Sequence, residues 1–321
     1  MILDTLERFD LGGGPQWALV RGQSRTSPVL LLVQAGPGLP MIHEAERMER
    51  DLHLEEHFRV VYWDQRGTGK SVQAANGDAM TVETLVADVR GMVHAVCERL
   101  KVRQVDVLGF SFGASPALLA CAGGSLPVRS LTCVGPDVDL LESERFALEF
   151  ATAEAGRRRH RRALKELGAI GAPPHTDPKK FMTRVKWVSN FGGVERRKTF
   201  WGLFRENLGQ LWRSPHYRVG DVLGALKGMS ATPERMLSAL EGFNLLTRPL
   251  PAQTPVSIFQ GRHDVAAPPK LAVILAERLS ARLVWFEDSA HFPHHEEPGP
   301  FQKELLRFVG GVANRPSIRS G

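Results

Sequence analysis

The stretch VDVLGFSFGAS, starting at Val105, sets a strand with no face left for water directly against a serine framed by glycines. Val105 to Leu108, and earlier Val29 to Val33, are near-continuous apolar runs of strand length. A strand of that kind must be covered on both sides, as in a parallel sheet held between layers of helices. Counting the Val29 run, six others share its character or its bounding turn residues: QWALVRG, VLLLVQ, RVVYWD, VRSLTCVG, VSIFQGR and RLVWFED. Between them Val82, Leu85, Val86, Val89, Val93, Val96 and Leu100 repeat at helical spacing and give one clear amphipathic helix. Strands alternating with helices predict an α/β fold with a mostly parallel sheet flanked by helices.

Residues 140–250 break the pattern. They carry helix-like segments and no strand, interrupted at GAPPHTDP and SPHY, and sheet-type sequence resumes at Val256. The expectation is a core domain of residues 1–139 and 251–321, with a helical cap of 140–250 inserted late in the sheet. The net charge of +6 is concentrated in that insertion, in RRRHRR at 157–162 and ERRK at 195–198. A solvated helix face is the expected role of such runs, and no aromatic interleaving points to nucleic acid. Cys97, Cys121 and Cys133 are odd in number, widely spaced and set among apolar residues, the pattern of reduced core thiols. No basic segment followed by an apolar block opens the chain, and no run approaches membrane-spanning length. A cytoplasmic protein without a membrane span is expected.

The chemistry is sought first where glycines cluster. Gly69-Lys70-Ser71 could end a phosphate-binding loop, but the first glycine of that motif would fall on Asp64, whose carboxylate repels phosphate. The loop is expected to continue irregularly through 73–78. A dinucleotide motif over Gly36-Pro37-Gly38 fails at its third glycine, which is Met41.

Gly109-Phe110-Ser111-Phe112-Gly113 is different, because it follows a buried strand and precedes the helix-like ASPALLACA. That strand-turn-helix context is the one a nucleophile elbow requires. A serine there needs a base and a group to orient the base, and the chain supplies both in the order serine, acid, histidine. Asp264 follows the strand VSIFQGR, and His291 follows RLVWFED. Asp137 competes with Asp264, which is preferred because a Gly-Arg-His-Asp turn after a strand presents its side chain to that edge; His294 and His295 compete with His291, which is preferred as nearest its strand end, leaving the other two histidines to the loop. The cluster of His291, His294, His295 and Glu296 matches no familiar metal-ligand spacing, so no metal is assigned. The oxyanion donors expected are the backbone N–H groups of Phe112 and Gly36, the latter in the turn Gln34-Ala35-Gly36-Pro37-Gly38. No cofactor is called for.

In order along nearly the whole chain, QAGPG, YWDQRGTGKS, GFSFG, GRHD and SAHFPHHEEP resemble the proline iminopeptidase-like branch of the α/β-hydrolases. The resemblance implies a Ser111-His291-Asp264 triad, with Gly36 and Phe112 as donors and a helical cap between the sixth and seventh strands. It also implies that Asp64 and Arg66 brace the loops beside the oxyanion turn, with Lys70 facing solvent. The family's usual His-Gly-Gly-Pro-Gly is here Gln34-Ala35-Gly36-Pro37-Gly38, so the first side chain can hydrogen-bond but carries no charge. A prolyl aminopeptidase must bind a free amino terminus. In this basic cap Glu195 and Glu206 are the acids nominated, which shifts the expected substrate towards esters, amides or anions. Phe181, Trp187, Phe191, Trp201, Phe204 and Trp212 are the apolar candidates for a substrate pocket, against the reading that most pack the cap's own core.

The function expected is hydrolysis of an ester, amide or peptide through a covalent acyl-enzyme, on a small-molecule or short-peptide substrate. The alternatives are acyl transfer or carbon-carbon cleavage by the same triad, or a non-catalytic ligand-binding protein on this fold. Oligomeric state is not legible.

Overall fold

The computed structural model describes residues 3–36, 38–75, 80–251 and 253–313; Pro37 of the oxyanion turn and 76–78 of the expected loop lie outside them. In chain order the elements are β1 (Leu3–Asp10), β2 (Pro15–Gly22), β3 (Val29–Val33), α1 (Ala45–Leu52), β4 (Arg59–Asp64), α2 (Val82–Leu100), β5 (Val105–Phe110), α3 (Ala114–Cys121) and β6 (Val128–Val134). Then come α4 (Leu140–Arg157), α5 (Arg161–Ile170), α6 (Pro178–Asn190), α7 (Phe200–Arg213), α8 (Val219–Met236), β7 (Val256–Gly261), α9 (Pro269–Leu279), β8 (Arg282–Phe286), α10 (Pro293–Glu296) and α11 (Pro298–Ala313).

The eight strands form one sheet in the order β1-β2-β4-β3-β5-β6-β7-β8, parallel from β4 to β8 and antiparallel at the β1 and β2 edge. The seven expected strands are all present. β1 is an addition, and its sequence concealed it: as an edge strand it buries only Leu3 and Phe9 of its eight residues, leaving a polar run without clean alternation.

Both faces of the sheet are covered. In β3, Val29, Leu31 and Val33 pack into the layer that includes Val89, Leu118 and Leu271 of α2, α3 and α9. Leu30 and Leu32 point the other way, towards Met48 and Leu52 of α1 and Phe301 and Leu305 of α11. The two-sided burial that the apolar runs demanded is therefore met residue by residue. Helix α2 starts where Thr81 accepts a hydrogen bond from the Thr84 N–H, an N-cap, and ends as Lys101 turns left-handed.

Helices α4 to α8 leave the sheet after β6 and return before β7. The exit and return are tied together: Leu140 N–H donates to the Phe243 carbonyl, Leu245 N–H to that of Val138, and the Asn244 amide to the Asp139 carboxylate. Asp139 is also the N-cap of α4, so one side chain starts the helix and closes the neck. The inserted helices have a core of their own, built from Ala147, Ala151, Leu167, Trp187 and Val188 among others.

Candidate active site

Register brings the functional loops together. Val33 of β3 lies opposite Gly109 of β5, so the turns that follow these strands emerge side by side. Val134 lies opposite Phe259, and Gly261 opposite Phe286, so the segments after β6, β7 and β8 leave the sheet at the same carboxyl edge. At the end of β5 the chain passes from extended Phe110 to Ser111 at φ +50, a left-handed backbone that a serine adopts only when its surroundings hold it there. Gly113 makes that turn possible for want of a side chain. A Cβ at Gly113 would stand 2.0 Å from the Gln34 carbonyl oxygen and 2.7 Å from that of Val33.

Nε2 of His291 lies 2.8 Å from the Ser111 Oγ, and its Nδ1 lies 2.8 Å from Oδ2 of Asp264. A carboxylate can only accept, so Nδ1 carries the proton and Nε2 is free to accept from the serine hydroxyl. Asp264 is held in turn by the Gln260 amide and the Ala267 N–H, which donate to its two oxygens at 3.0 and 2.8 Å. Burial disfavours an imidazolium at His291. Asp264, by charge and hydrogen bond, outweighs that, with Asp137 and Glu296 adding to it, and the histidine's pKa is raised above its usual value.

Asp137 does not take the place of Asp264. It lines the same cavity as Ser111 and His291, and burial, opposed by His291, pushes its pKa up to about 6. Gly36 and Phe112 both line the cavity, and their N–H groups take part in no turn, loop or cap hydrogen bond among the described residues.

The cavity above Ser111 has a volume of about 770 Å³ and is predominantly apolar. Among the expected pocket residues Phe181, Trp201, Phe204, Glu195 and Glu206 line it. Trp187 and Phe191 do not: they stack on each other in the cap core, and the Trp187 indole donates to Glu166. Trp212 is on the outer surface.

The basic run at 157–162 is solvated, as expected of such a run, and does not face the cavity. Arg157, Arg158 and Arg162 are exposed and pair with Glu154 and Glu166 on the outside. The cavity wall instead carries Glu44, Asp137, Glu144, Glu195, Glu206 and Glu241, with Arg47 and Arg184 as its arginines. Arg47 and Lys198 contact Glu206, Lys198 also contacts Glu195, and Arg184 contacts Glu144. Glu44 is pushed up to about 7 by burial, opposed by Arg47 and reinforced by Glu206 and Glu195. The basic surplus thus gives no ground for preferring an anionic substrate.

Several supporting residues escaped the sequence. His294 and His295 are not loop residues: they sit in α10, where buried His294 packs on Phe110 and Phe301, and half-buried His295 lies 3.0 Å from Glu195. Burial lowers the pKa of both. Glu296 accepts from the Ala290 and Arg196 N–H groups, tying the histidine loop to the cap. The backbone of the same cap segment accepts from the His291 and Val265 N–H groups, through Val194 and Gly193. Such backbone contacts leave no mark on residue type.

Lys70, expected in solvent, is instead turned onto the cap, 2.6 Å from Asp221 and donating to the His216 carbonyl. Asp64 accepts from the N–H groups of Met41, Ile42 and Lys70 and from the Tyr217 hydroxyl of the cap. Arg66 is clamped by Asp88. Ser71 accepts from the Trp17 N–H and takes no part in the chemistry. Gly69–Ala75 form a short 3-10 element, so Gln73 to Ala75 of the expected loop are regular.

Residues 28–298 match the family described as alpha/beta hydrolase fold. The chain belongs to the α/β-hydrolase family. Within it, this α/β-hydrolase is 25% identical to the probable aminopeptidase YbaC of Bacillus subtilis over 311 residues, covering 94% of this chain and 95% of the relative. Among solved structures it resembles the proline iminopeptidase-related protein of Thermus thermophilus, at 21% identity and a TM-score of 0.64 over 96% of this chain and 98% of the other. The proline iminopeptidase of Mycobacterium smegmatis aligns with a TM-score of 0.56 at 18% identity, covering 96% and 98% of the two chains. These likenesses support a proline iminopeptidase-like branch for this enzyme of the α/β-hydrolase superfamily.

Proposed function

We propose that the protein is a cofactor-independent serine hydrolase acting on an ester, amide or peptide carbonyl with a bulky apolar acyl part. The observation that carries this reading is the relay Asp264-His291-Ser111, 2.8 Å at each step, ending on a serine at the floor of a large apolar cavity. Ser111 attacks the carbonyl as His291 takes its proton; the imidazolium, steadied by Asp264, then protonates the leaving group. The N–H groups of Gly36 and Phe112 receive the negative oxygen of the tetrahedral intermediate. Water, activated by the same histidine, releases the acyl group and restores the serine.

A second reading, cleavage of an aminoacyl substrate with a free amine, draws support from Glu44 and Asp137 on the cavity wall and from the likeness to an aminopeptidase. Treating 140–250 as a cap that selects the substrate belongs to both readings. A kinetic panel of prolyl and other aminoacyl anilides against short and long acyl esters separates them, with Ser111→Ala as blank. Labelling by a fluorophosphonate is expected in the wild type and absent in Ser111→Ala. Equal labelling of the two would sink the assignment of the nucleophile.

A further inference from the structure

Helix α7 is apolar on the side that has no protein to cover it. Trp201, Arg205, Leu208 and Trp212 follow one another at steps of four, three and four, which puts them on one stripe of the helix. Trp201 is 58% exposed and Trp212 is 54% exposed. Beyond the turn at 214–218, α8 opens with Val219 at 61% and Leu223 at 58%. The inner sides of the two helices are already satisfied, Leu211 packing with Val222 and Ala225. What remains outside is a run of large apolar side chains that the fold does not use.

Two observations say what this surface meets. First, Trp201 belongs both to the stripe and to the wall of the 770 Å³ cavity, so the stripe begins at the cavity's mouth. Second, the flanking charges are cationic and available: Arg205, Arg213 and Arg218 are exposed and form no ion pair among the described residues. Residues 140–250 contain twenty lysines and arginines against eleven acids, several of which line the cavity. Tryptophan and leucine framed by arginine on a helix lying at a surface are the side chains that enter the boundary of an anionic bilayer.

We propose that the outer face of α7 and the start of α8 dock on an anionic lipid surface, with the mouth of the cavity turned towards it. Apolar side chains enter the acyl boundary, and the arginines meet the headgroups. This docking goes beyond the hydrolase reading and stands or falls without it.

The test is co-sedimentation of the full chain with vesicles of phosphatidylcholine alone or mixed with phosphatidylglycerol. Binding is expected to the mixed vesicles, to fall steeply as salt is raised, and to weaken by about 10-fold or more in Trp212→Ser/Leu223→Ser, as loss of large buried side chains demands. Arg205→Glu/Arg213→Glu changes exposed residues alone and gives an independent loss, with thermal unfolding confirming that both variants fold. Absence of binding, equal binding to the two vesicle types, or binding unchanged in both variants would overturn the proposal. So would a concentration-dependent dimer abolished by the same substitutions, which would make a second copy the occupant.

Discussion

Replacing Gly113 by alanine tests the coupling between the serine turn and the oxyanion turn. The added Cβ would stand 2.0 Å from the Gln34 carbonyl oxygen, where real Cβ atoms do not come within 3.0 Å of a neighbour. Backbone lies on both sides of the overlap, so one turn must retreat by about 1 Å, a misplacement that costs on the order of 10²-fold in rate. Gln34 is two residues from Gly36, and loss of one oxyanion donor has a similar cost, about 10²- to 10³-fold. Overpacking at a site this tight should also cost about 1–3 kcal/mol of stability. The assay is the second-order rate of fluorophosphonate labelling, which needs no knowledge of the natural substrate and reports on the oxyanion donors as well as on Ser111. A folded Gly113→Ala protein should label about 10²-fold more slowly, with the pH at which labelling falls off unchanged, because the His291-Asp264 contact is not touched. A folded variant labelling at the wild-type rate would refute the idea that glycine is required here to keep the two turns in register.

Two further predictions follow from the charges around the serine. His291 must be neutral to accept a proton, and its pKa is raised by Asp264 and Asp137, so activity should be lost as pH falls through a value above 6.5. Asp137→Asn removes one source of that elevation and should move this acid limb to lower pH; a limb that stays in place or moves up contradicts the assignment. Tyr217→Phe deprives buried Asp64 of its cap donor and should lower stability by about 1.5–3 kcal/mol in urea unfolding, the range for a hydrogen bond to a charged group. Unchanged stability would mean that the cap does not lean on Asp64.

The core of the fold was legible because burial on two faces forces a composition. Val29 to Val33 can be nothing but a covered strand, and Gly109 to Gly113 can be read as a turn because a serine at positive φ needs small neighbours. Order along the chain narrowed the partners, and turn context and nearness to a strand end then selected Asp264 and His291, which register brings to Ser111. What stayed hidden depends on main chain or on direction. Nothing in the residue types of Gly193 and Val194 announces that their carbonyls hold the loops of Asp264 and His291. Trp187 and Trp201 are the same residue type on neighbouring helices, and only the packing of α6 and α7 decides that one fills the cap and the other borders the cavity. β1 was missed for the opposite reason: an edge strand buries too little to enforce a pattern.

The charge of the insertion changes meaning once direction is known. From composition alone the basic cap appeared to speak about the substrate; in the structure its surplus is on the outside, and the inside is apolar with a minority of carboxylates. Field and pocket are thus separate properties carried by the same helices. The outer field governs which surfaces approach, through interactions that salt screens within about 8 Å at physiological ionic strength. On the proposed reading, the inner wall governs which acyl groups fit over Ser111, through contacts that salt does not reach. Catalysis on a small soluble ester should accordingly be insensitive to salt, whereas any encounter with a charged surface should not be. A salt-dependent KM for a small neutral ester would show instead that the outer arginines reach the substrate, and would return the basic cap to the active site.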